Sequence, residues 1–231
     1  MIKCNMKDRP LRIISHEGEV PYELGLARQL ERVSSIIQDP LFPYELHFLE
    51  HRHVLTKGRT FESHHLVMSQ DALVEKGVDI LEVSRGGSVT YHGPGQLVVY
   101  VHVHLKEIGI FLTQYLRDLE QWVIDFLQSL NLDADRRDGM TGVWTSSGKI
   151  CALGVAAKKF VTYHGIGLNF SVDLDCFNWI VPCGLSEPVA SLNQLTTEPM
   201  TRAQVEAGLL SALPSWLKDR EKWGGDALEM A

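Results

Sequence analysis

The apolar pattern of the chain predicts an α/β fold of the α+β type, a mixed β-sheet flanked by helices, and three observations predict it. Two long segments repeat apolar residues at helical spacing, one over residues 21–38 and one marked by Leu112, Leu116, Leu119, Val123, Phe126 and Leu130. About eight shorter runs have strand length and strand composition. Most connections are of hairpin length, so the strands pair locally and the helices pack on the sheet they form.

In chain order, residues 11–15 form a short strand that ends at a turn around Glu17-Gly18. Over 21–38, Leu26, Leu30, Val33 and Ile37 make the buried face of a helix, with Pro21 suited to the first turn and Asp39-Pro40 as a stop. Residues 46–56 are extended and Lys57-Gly58-Arg59 turns the chain; a short helix over 69–76 ends on Gly77 as its cap. Apolar strands at 80–83 and 97–101 flank a glycine-rich stretch, and His102 and His104 continue the second in strand alternation. Residues 142–145 and 149–157 pair through a turn at Ser146-Ser147-Gly148, and residues 161–172 follow as the next strand after a turn at Lys158-Lys159. The last helix starts at Thr201, where Gln204 completes a capping box, and presents Val205, Leu209 and Leu213.

A chain of 231 residues that is 45% hydrophobic can bury a large core, and without a linker or repeat it reads as one domain over 1–231. A net charge of -7 argues against nucleic acid as the partner. Basic clusters at Arg52, Lys57 and Arg59, at Arg136-Arg137 and at Lys158-Lys159 can still receive an acidic macromolecule. The first residues lack a signal-peptide apolar core, and no segment nears the length of a membrane span, so a cytoplasmic protein with no membrane partner is expected. Cys4, Cys151, Cys176 and Cys183 have no C-x-x-C spacing and are expected as free thiols.

The densest signal is Arg85-Gly86-Gly87-Ser88-Val89-Thr90-Tyr91-His92-Gly93-Pro94-Gly95-Gln96. A plain turn explains Gly93-Pro94-Gly95 but not the arginine, tyrosine, histidine and glutamine beside it, which favours a loop that contacts a ligand. Among ten histidines, His51 with His53 and His102 with His104 share strand faces, but no Cys or carboxylate completes a ligand set, so no metal is expected. His92 and His164 each adjoin a glycine and read equally as site residues or as hydrogen bonders that anchor a loop. Cys151 lies in an apolar run and is a small core residue, and Cys176 is similar. Cys183, between Pro182 and Gly184, sits where a thiol can be presented, and its reactivity depends on a neighbour that lowers its pKa. Lys149, at the start of an apolar strand, is either a solvated turn residue or that neighbour.

These residues carry a resemblance. The stretch 85–96, Gly148-Lys149-Ile150-Cys151-Ala152-Leu153-Gly154, His164-Gly165-Ile166-Gly167-Leu168-Asn169 and Pro182-Cys183-Gly184, in this order, resemble the lipoyl(octanoyl) transferases. The resemblance implies the catalytic module shared by lipoate-protein and biotin-protein ligases, as a single acyltransferase domain around an acyl tunnel. It implies transfer of an octanoyl group from octanoyl-acyl carrier protein to a lysine ε-amine on a lipoyl domain, as the first step of endogenous protein lipoylation. The acceptors implied are the lipoyl domains of 2-oxoacid dehydrogenase complexes or the glycine cleavage H protein. No cofactor is implied. By motif position, Cys183 would be the acyl-thioester nucleophile and Lys149 the group that activates it. Arg85, Gly86, Gly87, Ser88, Val89, Thr90, Tyr91 and His92 would face substrate, as would Ala152, Leu153, Gly154, Gly165, Ile166 and Gly167, with His164 in support.

The chemistry agrees: thioester exchange needs a good thiolate and no ATP, and amide formation then runs downhill. Two departures touch neither Cys183 nor Lys149. The family often has alanine where this chain has Gly167, and a Thr-Ser pair where it has Ala190-Ser191. An ATP-dependent lipoate-protein ligase shares the fold and the lysine but needs no cysteine, and a non-catalytic binder of acyl carrier or lipoyl domain would use the same loops without turnover.

Overall fold

The computed structural model describes residues 9–181 and 187–218. Strand β1 (Leu11–Val20) leads into helix α1 (Tyr22–Gln38), and β2 (Tyr44–His51) returns parallel to β1. After a bend come β3 (Val54–Lys57), a 3₁₀ turn (Ser63–His65), α2 (Gln70–Glu75), β4 (Asp79–Glu82), β5 (Val89–His92) and β6 (Gln96–His102). Helices α3 (Leu105–Ile108) and α4 (Leu112–Ser129) precede β7 (Asp135–Arg137), β8 (Met140–Thr145), β9 (Gly148–Lys158) and β10 (Val161–Asn169). A second 3₁₀ turn (Leu174–Trp179), α5 (Leu192–Leu195), α6 (Arg202–Ser211) and α7 (Ser215–Lys218) complete the described chain.

The strands form a seven-stranded sheet in the order β1-β2-β6-β10-β9-β8-β7 and a three-stranded sheet in the order β4-β3-β5. Only β1–β2 and β3–β4 run parallel. This is the mixed sheet flanked by helices that the apolar pattern predicts. One face of the large sheet carries Leu97, Val99, Val101, Ile166 and Leu168 into the main core, where they meet Trp122, Phe126 and Leu127 of α4 and Val205 and Leu209 of α6. Trp122 joins the two helices a second way, its Nε1–H donating to the Leu209 carbonyl at 2.7 Å. A second core under the small sheet gathers Leu55, Leu73, Val89, Tyr91, Cys176 and Phe177.

Several expectations change in detail. The turn at Glu17-Gly18 is a register shift inside a ten-residue β1, with Gly18 at φ +66°. Residues 46–56 split at Arg52 and His53 between the two sheets. Strand β6 stops at His102, because the His104 ring turns back to accept the Glu107 N–H at 3.3 Å and caps α3. The turn after β9 falls at Lys159 and Phe160, both at positive φ, a geometry that matches the twist of the hairpin. The buried face of α1 is Tyr22, Gly25, Gln29, Val33 and Ile36, while Leu30 is exposed. A glycine and a glutamine displace leucine on that face because α1 packs on polar rings: a Cβ on Gly25 would lie 3.1 Å from the His51 ring, and Gln29 Oε1 accepts the His164 N–H at 2.6 Å.

Trp122 is fully buried between α4 and α6 and does not line the cavity described below. Trp122→Ala is expected to lower the free energy of unfolding by about 3–5 kcal/mol, measured by urea denaturation.

Candidate active site

The site begins with an alternation in β9 and β10. In antiparallel pairs, residues directly opposite each other share a face of the sheet. Tyr100 pairs with Gly165 and Gly165 with Gly154; Val98 pairs with Gly167 and Gly167 with Ala152. The face opposite the main core therefore carries almost no side chain across two neighbouring strands. A trough results, and it forms the floor of a cavity of about 450 Å³.

The glycine-rich stretch closes the trough from above. Backbone bonds from Gly58 to Ser88, Arg59 to Arg85 and Thr60 to Gly87 pin it to the end of β3. Its second half is itself strand β5. Gly58 must lack a side chain, since the Gly87 and Ser88 carbonyls occupy the position of its Cβ. Arg85 is buried across Gly154, where a Cβ would come within 2.9 Å of Arg85 Cδ. Its Nη2 and Nε donate to Thr56 and its Nη1 to the Gly86 carbonyl, which sets a cation in the wall of the cavity.

One end of the cavity is built from rings. Tyr22 stacks on His92 at 5.9 Å between centroids, and both lie against His51. His51 Nδ1–H donates to the Val20 carbonyl at 2.7 Å, and its Nε2 accepts from the Tyr100 hydroxyl at 2.6 Å. His92 Nδ1–H donates to Gln96 Oε1 at 2.6 Å, because Gln96 Nε2 is committed to Asn169 Oδ1 and the Tyr91 carbonyl. That tautomer leaves His92 Nε2 unprotonated. His164 has φ +62°, its Nδ1 is 3.5 Å from the Tyr22 hydroxyl, and its buried Nε2 has no hydrogen-bond partner within the described protein.

These imidazoles are neutral. Burial lowers His92 to about 3, helped by the neighbouring His51, and burial lowers His51 to about 4. Burial and then Arg85 lower His164 to about 4. Burial pushes the Tyr22 hydroxyl up to about 12. The ring end can therefore give and accept hydrogen bonds near neutral pH without carrying charge.

Lys149 also lines the cavity. Its Nζ donates to the Thr141 carbonyl at 3.2 Å and lies 4.6 Å from the centroid of Trp144. On the opposing strand segment, Lys149 N–H bonds the Pro188 carbonyl and Ala190 N–H bonds the Lys149 carbonyl. Gly148, at φ +137°, makes that approach feasible, since a Cβ would collide with Pro188. Glu187 and Val189 line the cavity beside it.

Pro182, Cys183 and Gly184 lie outside the described residues, as does Cys4. Cys151 and Cys176 are buried free thiols, and burial pushes both upward in pKa, so neither is suited to act as a thiolate. Among the described residues no group of three or more His, Cys, Asp or Glu side chains is arranged to hold a metal ion, and no helix is long and apolar enough to cross a membrane.

The sequence matches the lipoyl protein ligase A/B catalytic domain over residues 22–214. An octanoyltransferase of Synechococcus sp. (strain JA-2-3B'a(2-13)) is 39% identical over 214 residues, covering 88% of this chain and 81% of that one. An octanoyltransferase of Solibacter usitatus (strain Ellin6076) is 41% identical over 178 residues, covering 77% and 80%. This chain belongs to the lipoyl protein ligase A/B catalytic-domain family. Its fold is also that of the lipoate protein ligase of T. acidophilum solved with bound lipoic acid, with a TM-score of 0.69, 16% identity and 93% of each chain covered.

Within this family member, every residue expected to face substrate borders the cavity except Tyr91, and Lys149 and His164 border it too. The Tyr91 side chain points into the second core, its hydroxyl 2.8 Å from His53 Nδ1, and Gly93 lacks a side chain where that hydroxyl sits. Ser88 turns its hydroxyl to His65 Nδ1 at 2.6 Å. The Arg136-Arg137 cluster is spent on internal pairs, Arg136 with Glu120 and Arg137 with Glu187, whereas Arg52, Arg59, Lys158 and Lys159 are exposed. Tyr22, Val98, Tyr100, Trp144 and Phe177 line the cavity without having been singled out in the sequence. The one signal that could have found Tyr100 and Val98 is their parity in β6, opposite to that of the core residues Leu97, Val99 and Val101.

The buried histidines make stability depend on pH. Their folded pKa values lie below the unfolded value of 6.5, so the unfolded chain binds more protons between those limits. Stability from this source is complete above pH 6.5 and is lost as pH falls toward 4. Each histidine contributes a slope of about 1.4 kcal/mol per pH unit in that window. Urea denaturation of His92→Gln across the window is expected to give a shallower decline than the parent.

Proposed function

We propose that this acyltransferase moves an octanoyl group from octanoyl-acyl carrier protein to the ε-amine of a lysine on a lipoyl domain, through a thioester on Cys183 that Lys149 activates. The observation that carries the reading is a single cavity in which a side-chain-free trough, a neutral polar end and an ammonium group meet. The trough suits an unbranched acyl chain, because glycine and alanine leave a slot beside the apolar side chain of Val98. The family membership and the octanoyltransferase names of its relatives support the same reaction.

Cys183 stands four positions before Glu187 in the sequence, and Glu187 borders the cavity near Lys149. In the first step Cys183 gives up its proton, its thiolate attacks the carrier thioester, and the carrier thiolate leaves and takes up a proton in exchange for the one Cys183 released. In the second the acceptor amine attacks the enzyme thioester, loses a proton and expels Cys183. The cation of Lys149 favours the thiolate in both steps. The acceptors are lipoyl domains of 2-oxoacid dehydrogenase complexes or the glycine cleavage H protein, and the enzyme works in the cytoplasm as one catalytic domain over 1–231.

Incubation with octanoyl-acyl carrier protein and a lipoyl domain, without ATP, should give the octanoylated domain; strict ATP dependence would overturn the reading in favour of a ligase. Intact mass of the enzyme should show an added octanoyl group that is lost in Cys183→Ser. Lys149→Ala should slow acylation of the cysteine at least about tenfold near neutral pH, and equal rates of cysteine alkylation in variant and parent would remove Lys149 from that role.

A further inference from the structure

Glu120 of α4 is a carboxylate that is 1% exposed, one turn from the end of the cavity-lining part of the helix. Its Oε2 receives Arg117 at 2.8 Å and Arg136 at 3.1 Å. Its Oε1 accepts the N–H of Gly142 at 3.0 Å. That N–H belongs to the peptide unit whose carbonyl, on Thr141, accepts from Lys149 Nζ at 3.2 Å. The two groups thus hold opposite ends of one planar amide, the anion on its N–H and the cation on its C=O.

We propose that Glu120 is a positioning residue for Lys149, holding the Thr141–Gly142 peptide so that its carbonyl faces the Lys149 ammonium. The proposal rests on the reading of Lys149 given above. An amide is planar and its dipole rigid, so fixing the N–H fixes where the carbonyl points. A carboxylate on the N–H also draws the amide toward its polar resonance form, which makes the carbonyl a stronger acceptor. Gly142 completes the device. It has φ +140°, and a Cβ there would lie 2.9 Å from the Cys151 carbonyl and 3.1 Å from Lys149 Cε. Only glycine lets the lysine stem lie along this strand.

Arg117 separates this role from mere packing. Arg117 is largely exposed and touches the same carboxylate but not the peptide. Its removal leaves the contact to Gly142 in place and makes the carboxylate less neutralised. Glu120→Gln keeps the volume and loses the charge.

The test is titration of Lys149 by NMR in the full chain labelled with ¹³C at lysine Cε, the resonance assigned by its loss in Lys149→Arg. Glu120→Gln is expected to lower the midpoint by about 0.5–1 pH unit, since a hydrogen bond to the charged form is weakened, while Arg117→Ala leaves it level or raises it. Glu120→Asp, which draws the carboxylate back from Gly142, serves where the glutamine variant does not fold and should also lower it. An unchanged midpoint in Glu120→Gln, or an equal fall in Arg117→Ala, overturns the proposal. Transfer by Lys149→Ala at the parental rate would instead overturn the reading of Lys149, and the titration result for Glu120 would stand apart from it.

Discussion

The site depends on one packing constraint, the direct pairing of small residues across β9 and β10. Gly165 has to be glycine because the Val99 carbonyl of β6 occupies the position of its Cβ, and Gly154 because Arg85 lies across it. Those two requirements press β6, β10 and β9 and the glycine-rich segment into close register. The same absence of side chains that lets backbones approach opens the trough. On the reverse face, Ile166, Leu168 and Cys151 fill the core under α4 and α6. One pair of strands therefore does two jobs through its period of two: large residues hold the fold and small ones leave the cavity open.

Charge is distributed around that room in a consistent way. Three buried imidazoles are kept neutral, while the cations, Arg85 and Lys149, sit on walls where carbonyls receive them. Burying an ion without partners costs several kcal/mol, and carbonyl and carboxylate acceptors offset that cost. Glu120 plays this part for the strand that carries Thr141, at the price of being itself removed from water and paired with two arginines.

Glycine does different work at different positions. At Gly142 and Gly148 positive φ and lack of volume allow the Lys149 stem and the Pro188 segment to lie against the sheet. At Gly93 the space is taken by the Tyr91 hydroxyl, so a residue that looked exposed to a ligand in the sequence is instead a hydroxyl buried in the second core. Motif density in 85–96 was legible; the division of labour within it was not, because Val89 and Tyr91 face one way from β5 and Thr90 and His92 the other.

Much of the fold could be read locally. Helix periodicity located α4, the capping box located the start of α6, and apolar runs bounded by turns located β6, β9 and β10, since each is a property of neighbours in the chain. The small-residue face of β9 and β10 was likewise written in Ala152, Gly154, Gly165 and Gly167. What the sequence by itself determined was thus the two long helices, α2, the start of α6, most of the longer strands, and the residues dense in glycine, lysine and histidine; the short elements β5, β7, α3, α5 and α7 were not among them. Tertiary structure alone decided that α1 turns Gly25 and Gln29 inward, that Tyr91 leaves the cavity, that Tyr22 and Tyr100 enter it, and that Glu120 meets Lys149 through a shared peptide. Each of these depends on which distant group fills a space or satisfies a buried hydrogen bond, and that competition is settled only when the strands and helices pack.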